Sequence, residues 1–91
     1  MRLDKFMKVA RLSKRRTVAK EALDAGRVLR AGYAVKAGYQ VKTGDELEIH
    51  YARRVVTVRV LVIPARPGVR VDPTTLYEVL TERNEDDLPP L

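Results

Sequence analysis

At Gly26 the apolar residues of this chain change their period, and that change restricts the fold more than any other feature. Before it, Leu3, Phe6, Met7 and Ala10 recur at i, i+3, i+4 and i+7, one face of an amphipathic helix. Val18, Ala19, Ala22 and Leu23 form a second helical stripe, with Ser13 placed to cap that helix and Gly26 placed to end it. After Gly26 the pattern is that of strands. Residues 28–31, a turn at Gly32 and residues 33–36 read as a short hairpin. "ELEIHY" (46–51) alternates, and "VVTVRVLVI" (55–63) is rich in β-branched residues, with Ala52-Arg53-Arg54 as the turn between them. Two helices with one apolar face each, followed by strands, bury their apolar residues together by layering. The predicted fold is α+β: one small domain, two packed N-terminal helices against a short, mostly antiparallel sheet.

The last third of the chain reads differently. Pro64, Pro67, Gly68 and Pro73 mark an irregular connection. Asp72-Pro73 has the form of a cap followed by proline at the first helical position, which predicts a short C-terminal helix through Leu76, Tyr77, Val79 and Leu80. The tail from Glu85 to Leu91 is acidic and proline-containing, the composition of a disordered end. Residues 1–63 are therefore expected to form the functional unit, and residues 64–91 an irregular connection, short helix and acidic tail.

Charge follows the same division. The formal net charge is +6 and the pI about 10.0, which favours a polyanionic partner. Residues 1–63 carry 15 Lys/Arg against 6 Asp/Glu, and residues 64–91 carry 3 against 6. The absence of cysteine excludes disulfides and thiolate metal sites, and fits a cytoplasmic protein. No run approaches the ~18 apolar residues of a membrane span, and the start lacks the apolar core of a signal peptide. The expectation is a soluble, unprocessed chain.

The densest positive charge falls in "RLSKRRTVAK", at the start of the second helix. Arg11, Lys14, Arg15, Arg16 and Lys20 lie there, against the helix's own positive dipole end. Glu21 and Asp24 come too late in the helix to neutralise its first turn. A bound phosphate would reverse that repulsion, because a helix N-terminus offers free N–H groups and guanidinium groups add paired donors. Arg2, Lys5, Lys8 and Arg11 lie off the apolar face of the first helix, and Arg27 and Arg30 of "GRVLRAG" fall near the same surface. Among the aromatics, Phe6 belongs to the apolar face, Tyr51 and Tyr77 read as packing residues, and Tyr33 and Tyr39 flank the basic region as candidate base-stacking rings. His50 is the only histidine and has no metal-ligand spacing around it. Asp4 is expected to pair with a nearby cation or to start the first helix. No glycine loop for nucleotides and no acid–base constellation is present, so nothing points to an enzyme or a cofactor.

The combination "RLDKF…KRRTVAK…GRVLRAG…VKTGDELEI" resembles the S-four (S4) RNA-binding domain, also called the alpha-L RNA-binding motif. The matching elements are Arg2-Leu3-Asp4, Arg16 to Ala19, Gly26 to Gly32 and Gly44-Asp45, and together they cover about residues 1–51. The chain departs from the family's pattern at three points. Ala31 stands where the family has Asn before the turn glycine, Arg30 replaces an apolar residue, and Arg15 replaces Ser. The resemblance implies a domain that grips folded RNA with its two helices and hairpin. By position, Arg2, Arg16 and Arg27 are the implied main contacts. Lys5, Lys8, Arg11, Lys14, Arg15 and Lys20 support them.

The domain usually occurs as an appendage on RNA-modifying enzymes or synthetases. Freestanding members are of two kinds: a heat-shock type, and a shorter type acting in ribosome-associated quality control. The opening residues and short acidic tail are closer to the second. The resemblance thus implies a non-catalytic factor, monomeric and without cofactor. Its implied partners are 23S rRNA and tRNA on obstructed large (50S) ribosomal subunits carrying peptidyl-tRNA, and its implied role is support of C-terminal alanine tailing of stalled chains, with the tailing factor as a further partner. A rival expectation is an RNA-targeting module acting in trans for an enzyme such as a pseudouridine synthase. A DNA-binding helix-turn-helix is disfavoured, since no dimer seam is visible.

Overall fold

The computed structural model of the chain describes residues 1–65 and 72–84. Helix α1 spans Leu3–Val9 and α2 spans Arg16–Asp24. Both helices end in the same backbone device. In α2, the Gly26 N–H donates to the Leu23 carbonyl at 3.0 Å and the Arg27 N–H to that of Ala22 at 3.0 Å. In α1, the Arg11 N–H donates to Lys8 at 3.1 Å and the Leu12 N–H to Met7 at 2.9 Å. This pairing needs one left-handed residue past the helix end. In α2 it is Gly26 (φ 74°), as the sequence predicts; in α1 it is Arg11 (φ 57°), a side chain that is unfavourable there by roughly 1–2 kcal/mol.

Ser13 does not cap α2. The helix starts at Arg16, so Arg15 is its N-cap, in extended conformation and without a capping side chain. The Ser13 hydroxyl instead donates to the Arg15 carbonyl at 3.1 Å, which shapes the link rather than satisfying helix N–H groups. The start of α1 is held from outside: the Leu3 and Asp4 N–H groups donate to the carbonyls of Tyr39 and Ala37, at 2.8 and 3.3 Å.

The sheet comprises β1 (Val28–Arg30), β2 (Tyr33–Ala34), β3 (Glu46–His50), β4 (Arg54–Val60) and β5 (Tyr77–Asn84), all antiparallel, in the order β2-β1-β3-β4-β5. The β1–β2 turn places both Ala31 (φ 53°) and Gly32 (φ 82°) at positive φ, the geometry of a two-residue I′ hairpin. Asn favours that first position, and Ala31 occupies it with a Cβ that the left-handed region disfavours. The turn at residues 42–45 carries Gly44 at φ 93°. One core joins the layers: Leu3, Phe6, Met7 and Ala10 of α1 and Ala19 and Leu23 of α2 pack with Val28, Leu47, Val56, Val58 and Val60.

The C-terminal helix expected through Leu76 to Leu80 is absent. Asp72 does cap, accepting from the Thr74 N–H at 2.9 Å, but only for a 3₁₀ turn, Pro73–Thr75. The chain then becomes β5, which pairs along the whole of β4. Thr57 faces Thr81 and Val58 faces Val79, so Leu80 is the extra residue of a bulge. That bulge breaks the alternation, leaving Leu76, Tyr77 and Leu80 at a spacing that imitates a helical stripe. An eight-residue isolated helix is marginal, whereas the open edge of β4 offers a full ladder. The strand predicted over 55–63 ends at Val60; the N–H groups of Leu61 and Val62 turn to the Leu76 carbonyl, at 2.8 and 3.2 Å. The predicted disordered tail, Glu85 to Leu91, lies outside the described residues.

Candidate nucleic-acid interface

Asp4 organises the basic surface. It is buried in the first turn of α1, with its carboxylate turned toward the α2 start. The Arg16 Nε donates to Oδ2 at 3.3 Å, and Arg2 donates from Nε to Oδ1 at 3.3 Å and from Nη2 to Oδ2 at 3.4 Å. The Lys5 N–H also donates to Oδ1, at 2.8 Å. Burial opposes ionisation of Asp4, but the Lys5 N–H, the Arg16 hydrogen bond and the two guanidinium charges outweigh it and hold the carboxyl below its usual value. The carboxylate thus stays charged and fixes two arginines side by side. Both remain open to solvent, Arg2 at 46% and Arg16 at 51% side-chain exposure. Among the described residues the Arg16 Nη groups have no hydrogen-bond partner, so donors face outward. The repulsion read at the α2 start is therefore relieved in part from outside the helix, by Asp4.

A second buried carboxylate supports the first site from behind. Asp45 accepts from Arg30 Nε at 3.0 Å, from the Tyr39 hydroxyl at 2.9 Å and from the Lys42 N–H at 2.8 Å. Burial again opposes its ionisation, and those three donors again lower its pKa overall. The same Tyr39 accepts the Leu3 N–H on its carbonyl, and Gln40 bridges to Arg2. The Asp45 cluster thereby anchors the loop on which α1 begins. The Tyr39 hydroxyl is pushed up by burial and by its hydrogen bond to Asp45. Arg30 also lies over the Tyr39 ring at 5.5 Å.

The structure divides the nine predicted contact residues. Arg2, Lys5 and Arg16 meet with Gln40 and Pro64 around one groove of about 400 Å³. Arg11, Lys14 and Arg27 meet with Arg54 around another, of about 440 Å³. Lys8, Arg15 and Lys20 are exposed on the helices and line neither groove. Gln40 and Arg54 were not candidates from sequence. Gln40 lies in a loop without periodicity, and its Oε1 accepts from the Met1 amino group at 3.2 Å. Arg54 had the adjacent Arg53-Arg54 pair as its only signal; it stacks on Tyr51 at 4.8 Å and pairs with Glu82 at 3.1 Å.

Of the two candidate stacking rings, Tyr33 is 79% exposed at the hairpin tip, while Tyr39 is engaged with Asp45. Tyr51 and Tyr77 pack against the core as expected, and the Tyr51 hydroxyl donates to the Leu12 carbonyl at 2.6 Å. His50 Nε2 lies 3.6 Å from Glu48. Among the described residues no cluster of His, Cys, Asp or Glu could hold a metal ion, and no helix is long and apolar enough to cross a membrane.

The chain matches known proteins in sequence and in fold. The S4 domain family matches residues 1–47, the segment that holds both helices, the hairpin and Asp45. A Streptococcus pneumoniae protein named RQC P-site tRNA stabilizing factor is 37% identical over 87 residues, covering 96% of this chain and 98% of its own length. Its namesake in Halalkalibacterium halodurans is 49% identical over 83 residues, covering 90% and 92%. Among solved structures, Vibrio cholerae Heat Shock Protein 15 superposes with a TM-score of 0.75 at 26% identity, covering 87% of this chain and 80% of that one. The hypothetical protein HP1423 superposes at 0.73 with 35% identity, covering 89% and 98%. With a family model that matches residues 1–47, over half of its length, and relatives 37% and 49% identical over nearly all of it, the chain belongs to the S4 domain family.

Proposed function

We propose that this protein is a non-catalytic RNA-binding factor of ribosome-associated quality control that holds tRNA on obstructed large ribosomal subunits. The observation that carries the reading is the Arg2–Asp4–Arg16 cluster. One buried carboxylate holds two solvent-facing guanidinium groups beside Lys5, around a groove of about 400 Å³. Folded RNA is recognised largely through phosphates, 2′-hydroxyls and shape, and rigid arginines suit that task without base-specific readout. The names of the relatives, RQC P-site tRNA stabilizing factors, support tRNA as the ligand. Within this reading, residues 1–63 form the RNA-binding unit, with Arg2, Lys5 and Arg16 as its centre. Lys8, Arg15 and Lys20 extend the phosphate contacts along the helices, and Arg11, Lys14 and Arg27 supply a second, flanking set. The protein acts as a cytoplasmic monomer, contacts 23S rRNA as well as tRNA, and supports alanine tailing by a separate tailing factor.

The test is co-sedimentation. Tagged protein is expressed in its own host and lysate is run on a sucrose gradient beside the Arg16→Glu variant. Wild type in the 50S fraction with peptidyl-tRNA, and the variant at the top, is the expected result. Wild type at the top of the gradient would overturn the ribosomal reading.

A further inference from the structure

The second groove is built unlike the first. In the first, a buried carboxylate holds the cations in place. In the second, of about 440 Å³, no acidic residue lies among the described lining residues. Arg11, Lys14, Arg27 and Arg54 rim it. Met7, Leu12 and Ile49 close its floor, and Val18 stands 48% exposed on its wall. Phosphates on the rim alone would neutralise the charge and leave Val18 against water. The ligand that satisfies both is an anion with an apolar part.

One end of the groove specifies the shape of that part. Tyr51 and Arg54 both line it, and the Arg54 guanidinium lies over the Tyr51 ring at 4.8 Å. Each half of this stack is held from elsewhere. The Tyr51 hydroxyl donates to the Leu12 carbonyl at 2.6 Å, and Glu82, outside the groove, accepts from Arg54 at 3.1 Å. The Arg54 side chain is still 51% exposed, so the guanidinium face turned away from Tyr51 is open to a further planar group. Unpaired bases stack on arginine planes and aromatic rings. A base inside a duplex is covered on both faces by its neighbours and cannot.

We propose that this groove receives one unpaired nucleotide of the bound RNA. Its base stacks on Arg54 and covers Val18 and the aliphatic floor, and its phosphates lie on Arg11, Lys14 and Arg27. The proposal rests on the RNA-binding reading above and adds a preference for RNA with a looped-out base over fully paired RNA. The base's identity is not read, since every base has a planar face. An acidic peptide would meet the same cations, but the Tyr51–Arg54 stack favours a flat group over an aliphatic one.

The test compares two single-stranded probes of equal charge: hexa-adenylate RNA and a hexamer of abasic ribose phosphate. Both are titrated into ¹³C-methyl- and ¹⁵N-labelled protein. Base insertion predicts ring-current shifts of the Val18 and Ile49 methyl groups with hexa-adenylate and none with the abasic hexamer. Arg54→Lys keeps the charge and removes the plane, and is expected to reduce the preference for hexa-adenylate over the abasic hexamer by about tenfold. Equal methyl shifts with both probes, or an unchanged preference in Arg54→Lys, would overturn the proposal. Shifts with an acidic, leucine-containing peptide and none with hexa-adenylate would give the groove to a protein partner, with the same consequence. A blunt RNA duplex, followed on the Arg2 and Arg16 side-chain resonances, reads the other groove separately. If the duplex binds there and hexa-adenylate leaves the Val18 methyls unmoved, the base site fails and the RNA-binding reading stands; if neither RNA binds, both fail.

Discussion

Arg16 and Asp4, on different helices, meet at 3.3 Å from Nε to Oδ2, and through that contact the buried acid of α1 fixes the direction of the first cation of α2. The Asp4 carboxylate is shared with Arg2, so one negative charge orders two positive ones. In the proposed reading the pair is a preformed anion receptor: Asp4 holds both guanidinium groups before any ligand arrives, which would reduce the entropy lost on binding.

Reversing the receptor's charge tests its place in binding. Arg16→Glu is expected to abolish RNA binding while the protein remains folded, because the Arg16 side chain is half exposed and packs in no core cluster. Filter binding or fluorescence anisotropy checks the affinity, and circular dichroism checks the fold. Arg83→Glu, on the far strand β5, is expected to leave affinity nearly unchanged.

Asp4→Asn separates charge from shape. The amide oxygen can still accept the Lys5 N–H, but the arginines lose their anchor. RNA affinity is expected to fall about tenfold, given about 0.5–1.5 kcal/mol for each side chain that must be ordered anew. Stability is expected to fall by about 1–3 kcal/mol, the usual effect of disrupting a buried hydrogen-bonded group. Urea titration and the same binding assay measure the two effects.

Acid should unfold the protein through its two buried carboxylates. Asp4 and Asp45 both have folded-state pKa values below the unfolded value of about 3.9. The unfolded state therefore binds protons more readily, and the stabilisation is fully present above that value. It is lost as pH falls through the lower folded-state values. The urea midpoint should be flat near neutrality and drop below about pH 4. Asp45→Asn should start from lower stability and show a shallower drop.

The uncapped start of α2 predicts a conflict between stability and binding. Arg15 occupies the N-cap without a capping hydrogen bond. Arg15→Asp supplies an acceptor and a negative charge, and is expected to raise stability by about 0.5–2 kcal/mol. The same change should weaken RNA binding and reduce the magnitude of its salt slope by roughly 1. Thermal melts and affinities across a salt series measure the two effects.

The hairpin tip offers a change without such a conflict. Ala31 is held at φ 53°, a region that Asn tolerates better. Ala31→Asn is expected to raise stability by about 0.5–1 kcal/mol, read from the urea midpoint, with little effect on RNA affinity.

Local chemistry determined much of this protein by itself. The α1 stripe, the Gly26 stop, the hairpin at Gly32 and the concentration of cations before residue 28 are written in side-chain period, backbone freedom and charge, each acting over a few residues. Tertiary structure decided what depends on distant partners. Leu76 to Leu80 became turn and strand because the open edge of β4 accepted them and a bulge absorbed Leu80. Ser13 lost the cap because the link between the helices turned its hydroxyl toward Arg15. Asp4 became the organiser because the packing of α1 on α2 enclosed its carboxylate beside Arg16, a contact that spacing along the chain cannot express. The same packing divided one run of cations between two grooves. A charge count registers how many cations a segment holds, but only the path of the backbone sets which surface each one faces.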